Sequence, residues 1–543
     1  MIINISRYWS CLLILAPLLF ASCKKDPQVT PVVNPPTTNP DPVGTRTQLT
    51  LDSIFLYARE VYYWNDALPE KETFDPRKYI SGSSDLSNYN RELFDITQIK
   101  INPLTGKPYE FVAGSSNPNV SAGYAKYSYI QDRTTKNPTG FVPDRQSSVD
   151  LEGNGNDMGL ALSAIGTADN YDIRIRYASP GSPAAKAGLG RGDVITKFNG
   201  VTVGSNFDSE VNHINNAMNG TSVTIAGKKK DGTAFDRTLT KTVYKSGPIY
   251  KDTVITTGSK KVGYLAYARF SNTENSKPAL DQSFAEFASA GVTDLVIDLR
   301  YNGGGYVNVA QHLTNLIAPS SLNGTKMFSE KFNSTMQSGK ATILKNQPLL
   351  DANDKVQYQN GRLVTYADID YSEAQNTYNF SKAGSLNGIQ QVIFIVTGNT
   401  ASASELVINN LKPHMNVKVI GKQSYGKPIG FFPITVENRY DVYYSMFTSI
   451  NSVGETDYFA GFTPDYDVAD DVTRDFGDPA ELSFAAALRF IDKGSFIAAT
   501  NTLSSVFIKG GKQRVSSAAV AVREITPEND FKGMIETRHK IKR

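Results

Sequence analysis

Thiols are almost absent from this chain. Its 543 residues include two cysteines, Cys11 and Cys23, and nothing after position 23 carries sulfhydryl. That excludes a disulfide framework, a Cys-liganded metal and a catalytic thiol from the rest of the chain, and it suits an oxidising exterior. Histidine is scarce as well. His213, His312, His414 and His539 lie far apart and match no ligand spacing such as His-Glu-x-x-His, so neither a metal nor another cofactor is expected. Charge of one sign is also missing: 56 Lys and Arg against 53 Asp and Glu leave +3, interspersed, which gives no basic field for nucleic acid. With 40% hydrophobic and 20% charged residues the bulk is instead folded, and its length calls for several domains.

The N-terminus has Arg7, then an apolar run from Cys11 to Phe20, then Ala21-Ser22 ahead of Cys23. The run is far shorter than the roughly 20 residues of a membrane span, and Pro17 interrupts it. The pattern predicts an export signal over 1–22. Phe20-Ala21-Ser22-Cys23 resembles the bacterial lipobox, with Phe20 where leucine is usual. The resemblance implies a lipidated Cys23, a mature chain held on a membrane, and a place in the cell envelope, at the periplasmic or surface face of an outer membrane. Residues 23–48 are rich in Pro, Thr and Asn and predict a semi-rigid tether.

Beyond the tether, apolar positions in Leu51–Tyr63 recur at three and four, which predicts an amphipathic helix opening a mainly helical domain over 49–149. Short β-like runs such as Asp172–Tyr177 and Ser222–Ala226 predict a second, strand-rich unit over 150–245. Within it, Met158-Gly159-Leu160-Ala161-Leu162 and Ser182–Gly200 resemble the ligand loop and following stretch of bacterial PDZ domains. The resemblance implies that amides near Met158, Gly159 and Leu160 receive a peptide tail that adds a strand to the sheet edge. From 246 to 495, buried runs such as Thr293–Leu299 and Val392–Val396 alternate with helical stretches, the pattern of an α/β layer with chemistry at strand ends. The last stretch, 496–543, ends in Arg538-His-Lys-Ile-Lys-Arg543 and is expected to be a solvated basic tail.

Three strand-end segments carry the chemistry. Thr397–Leu406 presents Ser402 among small residues at a strand-to-helix turn, where a helix cap is the competing role for a lone serine. Leu299-Arg300-Tyr301-Asn302-Gly303-Gly304-Gly305 follows a buried strand with three glycines, and Val419–Pro428 offers Lys427 between glycine and proline. In this order the motifs resemble the C-terminal processing peptidases, or tail-specific proteases, in which a PDZ domain precedes a serine–lysine protease core. The resemblance implies Ser402 as nucleophile, Lys427 as general base, and the amides of Gly304 and Ala403 as oxyanion donors. For the fold it implies an α/β (α+β multidomain) chain: a helical N-terminal domain, a β-rich PDZ domain and an α/β core of the ClpP/crotonase-like kind. Two residues depart from the family pattern. Phe431 stands where a glutamine usually orients the amine, and Pro428 replaces a glycine, leaving Gln423 or Glu405 as substitutes. The expected function is therefore a lipid-anchored serine endopeptidase acting on proteins or peptides of the envelope or exterior. The alternative is a weak or inactive surface lipoprotein that binds peptides or another ligand.

Overall fold

Thr45 starts the first helix by accepting a hydrogen bond from the Gln48 amide while its own amide donates to the Gln48 side chain, a reciprocal cap. The structure, a computed structural model, describes residues 43–114, 117–134, 149–351 and 355–496, and the backbone of short strands at 521–524 and 533–535. The expected signal segment, Cys23 and most of the tether lie outside the described residues.

Helix α1 (Arg46–Val61) buries Leu51, Ile54, Phe55, Ala58 and Val61 along one stripe, and α2 (Asp85–Thr97) crosses it. Two helices cannot cover such a stripe by themselves, so the remainder of the chain completes the core. The side chains of α1 share one cluster with Phe332, Ile434, Tyr444 and Phe447, and strand 129–132 pairs with 440–443. The helical region is thus built into the same compact unit as everything from Thr45 onward.

The strand-rich unit runs β1 (Leu160–Thr167), β2 (Asn170–Ala178), β3 (Val194–Phe198), β4 (Ser222–Lys228) and β5 (Ala234–Thr240), antiparallel neighbours in that order. Asn206 caps helix α3 (Phe207–Asn219), whose Phe207, Ile214 and Met218 close the barrel-like core formed by Leu160, Ile173, Phe198 and Ile225.

From Ile249 the chain lays down β6 (Ile249–Thr257), β7 (Lys260–Tyr267), β8 (Asp294–Asp298), β9 (Gly304–Tyr306), β10 (Lys326–Phe332), β11 (Gln391–Val396), β12 (Asn416–Gly421), β13 (Ile429–Phe431) and β14 (Phe447–Asn451). One sheet orders β6–β7–β8–β11–β12 and then the short strand 466–467, parallel from β7 onward. Alternate residues face opposite layers. Leu295, Ile297, Val392 and Phe394 meet helices α4 (Thr273–Ala290), α5 (Val307–Ile317) and α6 (Ala403–Leu411), whereas Val296, Ile393 and Ile395 meet α7 (Leu482–Lys493). Burial on both faces explains why these strands read as unbroken apolar runs. The chain's mixed α/β architecture agrees with the fold class expected from the sequence.

A second sheet orders β9–β16–β13–β14–β10 and then strand 377–379, where β16 is Gly533–Ile535. In addition β15 (Ala521–Glu524) adds to the open edge of β1. The segment expected to be a plain solvated tail therefore contributes a strand to each of two sheets. Pairing of this kind uses backbone groups, which leave no periodic mark in so short a sequence.

Candidate active site

The C-terminal ends of the neighbouring parallel strands β8, β11 and β12 lie along one side of the sheet, where open α/β sheets carry their ligands. β8 leads to the glycines, β11 to Ser402, and β12 to Lys427. The loops are stitched to each other. Thr400 donates its hydroxyl to the Leu299 carbonyl at 2.7 Å and Thr397 donates to that of Arg300. The Ala401 amide and the Ser404 hydroxyl both donate to the Asn302 carbonyl, at 3.1 and 3.0 Å.

Ser402 sits at φ 61° and ψ −110° directly before α6. A non-glycine residue there carries strain of about 1–3 kcal/mol, which persists only where the surroundings enforce it and which recurs at functional turns. The turn leaves the fully buried Oγ with no hydrogen-bond partner among the described residues. Ala403 is the first residue of α6, so its amide is among those a helix leaves without an intrahelical acceptor.

Glu405 holds this turn to the lysine loop. Its buried carboxylate accepts from the Ser402 amide (2.8 Å), the Lys427 amide (2.8 Å), the Gly426 amide (2.7 Å) and the Ser424 hydroxyl (2.5 Å). The amides of Ser402 and Lys427 meet on the same oxygen, Oε2. Burial raises the Glu405 carboxyl above its ordinary range, against the pull of these four donors. Of the two candidates for the missing glutamine, Glu405 therefore positions the backbone of both expected catalytic residues. Gln423 is exposed and donates to the Ala460 carbonyl.

Lys427 is enclosed, and burial lowers its amine to about 7; Glu110 and Glu405 oppose the shift. Its Nζ lies 4.3 Å from the centroid of the Phe431 ring and 5.8 Å from that of Tyr127. Phe431, in β13, thus presents the face of its ring to the amine. Pro428 fits because it precedes the strand, where no ladder N–H is required. Sequence reasoning missed the wall from the N-terminal region. The Tyr127 hydroxyl donates to the Gly426 carbonyl at 2.6 Å, and Glu110 accepts from the Tyr127 and Ser128 amides. These residues precede the lysine by some 300 positions and carry no motif.

Gly304 and Gly305 take φ values of 106° and 137°. The Gly304 amide donates to Asn302 Oδ1 at 3.0 Å. A Cβ on Gly305 would come within 2.0 Å of the Phe270 carbonyl oxygen. Gly305→Ala should therefore displace the loop and lower activity about 10²-fold, the scale of a misplacement near 1 Å. Steady-state hydrolysis with circular dichroism as a folding control checks this; activity within twofold of wild type contradicts it.

The expected peptide loop lies apart from this cluster, in the strand-rich unit. Met158 and Leu160 are core residues, and the Gly159 amide donates to Asp157 Oδ1 at 2.6 Å, with the Tyr244 hydroxyl on the same oxygen at 2.8 Å. Gly159 has φ 75°, and a Cβ there would meet the Ser182 side chain at 2.1 Å.

Comparison with known proteins follows the same division. Residues 261–468, which contain Gly304, Ser402, Ala403 and Lys427, match peptidase family S41, and residues 174–226 match a PDZ domain. The C-terminal processing peptidase of the Tetradesmus obliquus chloroplast is 25% identical over 281 residues, 50% of this chain and 51% of that protein. A CtpA-like serine protease of Staphylococcus aureus (strain bovine RF122 / ET3-1) is 24% identical over 290 residues, 53% of this chain and 48% of that one. The chain thus spans about half the length of these curated relatives. A crystal structure described as an S41 protease from Bacteroides fragilis NCTC 9343 has a TM-score of 0.50 and 21% identity, covering 84% of this chain and 99% of that one, a likeness of fold. The strand ends that carry Gly304, Ser402 and Lys427 thus lie in a stretch that matches peptidase family S41, preceded in the chain by one that matches a PDZ domain.

Proposed function

We propose that this protein is a serine endopeptidase that hydrolyses peptide bonds in proteins of the cell envelope or exterior, with Ser402 as nucleophile and Lys427 as general base. The observation that carries the reading is the enclosed amine of Lys427, lowered to about 7 by burial and tied through Glu405 to the strained turn of Ser402. An ammonium cannot accept a proton, whereas a neutral amine at that value can near neutrality.

Neutral Lys427 takes the Ser402 hydroxyl proton as Oγ bonds to the carbonyl carbon. The oxyanion is met by the Ala403 amide and by Gly304 once its amide leaves Asn302. Collapse breaks the C–N bond, the leaving amine takes the proton from Lys427, and an acyl-enzyme remains. Water, deprotonated by the same lysine, releases the acid. The Phe431 ring supports the transient ammonium through its π face, a contribution of about 0.5–2 kcal/mol. A protein tail on the PDZ domain and a lipidated Cys23 complete the reading: capture of polypeptide by a peptidase held on a membrane.

A second reading, a binding lipoprotein without turnover, draws on Phe431 standing in place of the glutamine. A serine-directed fluorophosphonate separates the two. The peptidase reading expects an adduct on Ser402, at a rate that rises with pH through about 7, and loss of both adduct and hydrolysis of an unfolded protein in Ser402→Ala. Hydrolysis that survives Ser402→Ala sinks it.

A further inference from the structure

β9 and β13 do not touch; a single strand separates them. Adjacent strands lie roughly 4.8 Å apart, so the cleft between these two walls is about 10 Å wide, the space of one extended chain. Its walls belong to the site. β9 starts at Gly304, and β13 starts two residues after Lys427. The Asn302 carbonyl just before β9 is bonded to the Ser402 turn. In this structure the strand in the cleft is the chain's own β16, parallel to both walls, with Gly533 opposite Gly304, Met534 opposite Gly305 and Gly430, and Ile535 opposite Tyr306 and Phe431.

The same C-terminal segment occupies a second edge. β15 pairs antiparallel with β1 from Ala521 opposite Gly166 to Glu524 opposite Ser163. Its direction therefore runs toward the Gly159 turn. That is the polarity of a peptide adding to this edge and carrying its C-terminal end toward the loop expected to receive it. Two seats for polypeptide, one on the PDZ sheet and one beside the nucleophile, are thus filled by strands with only eight residues between them in sequence.

We propose that the C-terminal segment of this chain acts in cis as a substrate mimic, with β15 on the PDZ edge and β16 in the catalytic cleft, and that it must leave before a protein substrate can enter. The inference rests on the peptidase reading of the cleft, and it adds how substrate lies there: as an extended strand held on both sides by backbone groups, a mode largely indifferent to side chains. Two linked contacts in one chain reinforce each other by effective concentration, so strands that are weak singly suffice together.

Proline at Arg523, opposite Ala164, or at Met534 removes a ladder N–H of its strand. Both positions lie in short strands that follow the last described helix, α7, so the fold of the full chain should survive the change. In full-length Arg523→Pro/Met534→Pro, hydrolysis of an unfolded protein should rise about tenfold or more over wild type, the scale of losing an intramolecular competitor. In a Ser402→Ala background, amide hydrogen exchange of Gly304–Tyr306 and Ile429–Phe431 should quicken in the double-proline chain. A fluorescent synthetic peptide of residues 519–539 should bind that chain, and bind the chain with an intact tail at least about tenfold more weakly. Equal exchange and equal peptide binding in the two forms overturn the inference. If exchange and binding shift while neither form hydrolyses, the tail inference stands and the peptidase reading falls. If both forms hydrolyse equally with unchanged exchange, the reverse holds.

Discussion

Lys427→Met should lower hydrolysis about 10³-fold, within the range that a positioned general base contributes. Methionine keeps the length and apolar stem of lysine, so the loss would be one of proton transfer and not of packing. The charge-preserving variant is the sharper comparison. Lys427→Arg places a guanidinium that cannot deprotonate in the same pocket, and it should be at least as inactive. In the wild-type chain, kcat/KM should climb as pH rises through about 7 and level off above it, because burial lowers the amine to that value and only its neutral form accepts the Ser402 proton. The sign follows from the direction of the shift: below about 7 the amine is an ammonium and the base is lost. A profile that is flat from pH 5 to 9, or a Lys427→Arg enzyme with wild-type turnover, would remove Lys427 from the mechanism.

The largest expected effect on stability belongs to Arg300. This fully buried guanidinium binds Asp298 (2.7–3.0 Å), Glu481 (2.9 and 3.1 Å) and Asp470 (2.5 Å). Arg191, from the loop before β3 of the PDZ domain, joins the same cluster through Asp470 and the Tyr301 hydroxyl. Arg300→Met leaves buried carboxylates without their cation, which costs about 3–5 kcal/mol. A domain of this size should then lose about 10 °C in Tm. The deficit should depend on pH. Burial by itself raises the Asp470 and Glu481 carboxyls, but Arg191 and Arg300 outweigh it and hold both below their ordinary range. Carboxyls depressed in the folded state contribute stability above their unfolded values of 3.8 and 4.5 and lose it as pH falls. The gap between wild type and Arg300→Met should accordingly be full above pH 5 and narrow below pH 4. Urea titrations at pH 7 and pH 4 measure it; an equal gap at both values would contradict the assignment. Because the Arg300 carbonyl accepts from Thr397 and its chain leads into Gly303–Gly305, this cluster also anchors the glycine loop to the PDZ domain.

Much of the site was legible because strand-end chemistry leaves short, ordered signatures. The buried runs of β8 and β11 announced a doubly covered sheet. The small residues around Ser402, the glycines after Arg300 and the lysine between Gly426 and Pro428 each marked a turn at the end of such a strand. The part that stayed hidden depends on distant pairs. Nothing in Tyr127 or Glu110 identifies them as walls of the lysine pocket, because the contact joins positions some 300 residues apart. The departure at Phe431 was visible, but its consequence, a ring face 4.3 Å from the amine, needed the register of the strand.

The sequence by itself determined which residue types could do chemistry here and in what order: a chain without thiols after Cys23, with a PDZ-like stretch, a glycine loop, a serine turn and a lysine turn. Local spacing suffices for that, since helices, buried strands and turns are encoded within windows of ten to twenty residues. The tertiary structure alone decided the rest. It lowered the Lys427 amine by burial, bent Ser402 to φ 61°, gathered both amides on one Glu405 oxygen, and seated two C-terminal strands on the PDZ edge and in the cleft. Desolvation, enforced strain and backbone pairing arise from groups far apart in the chain, and these act only once the fold has brought them together.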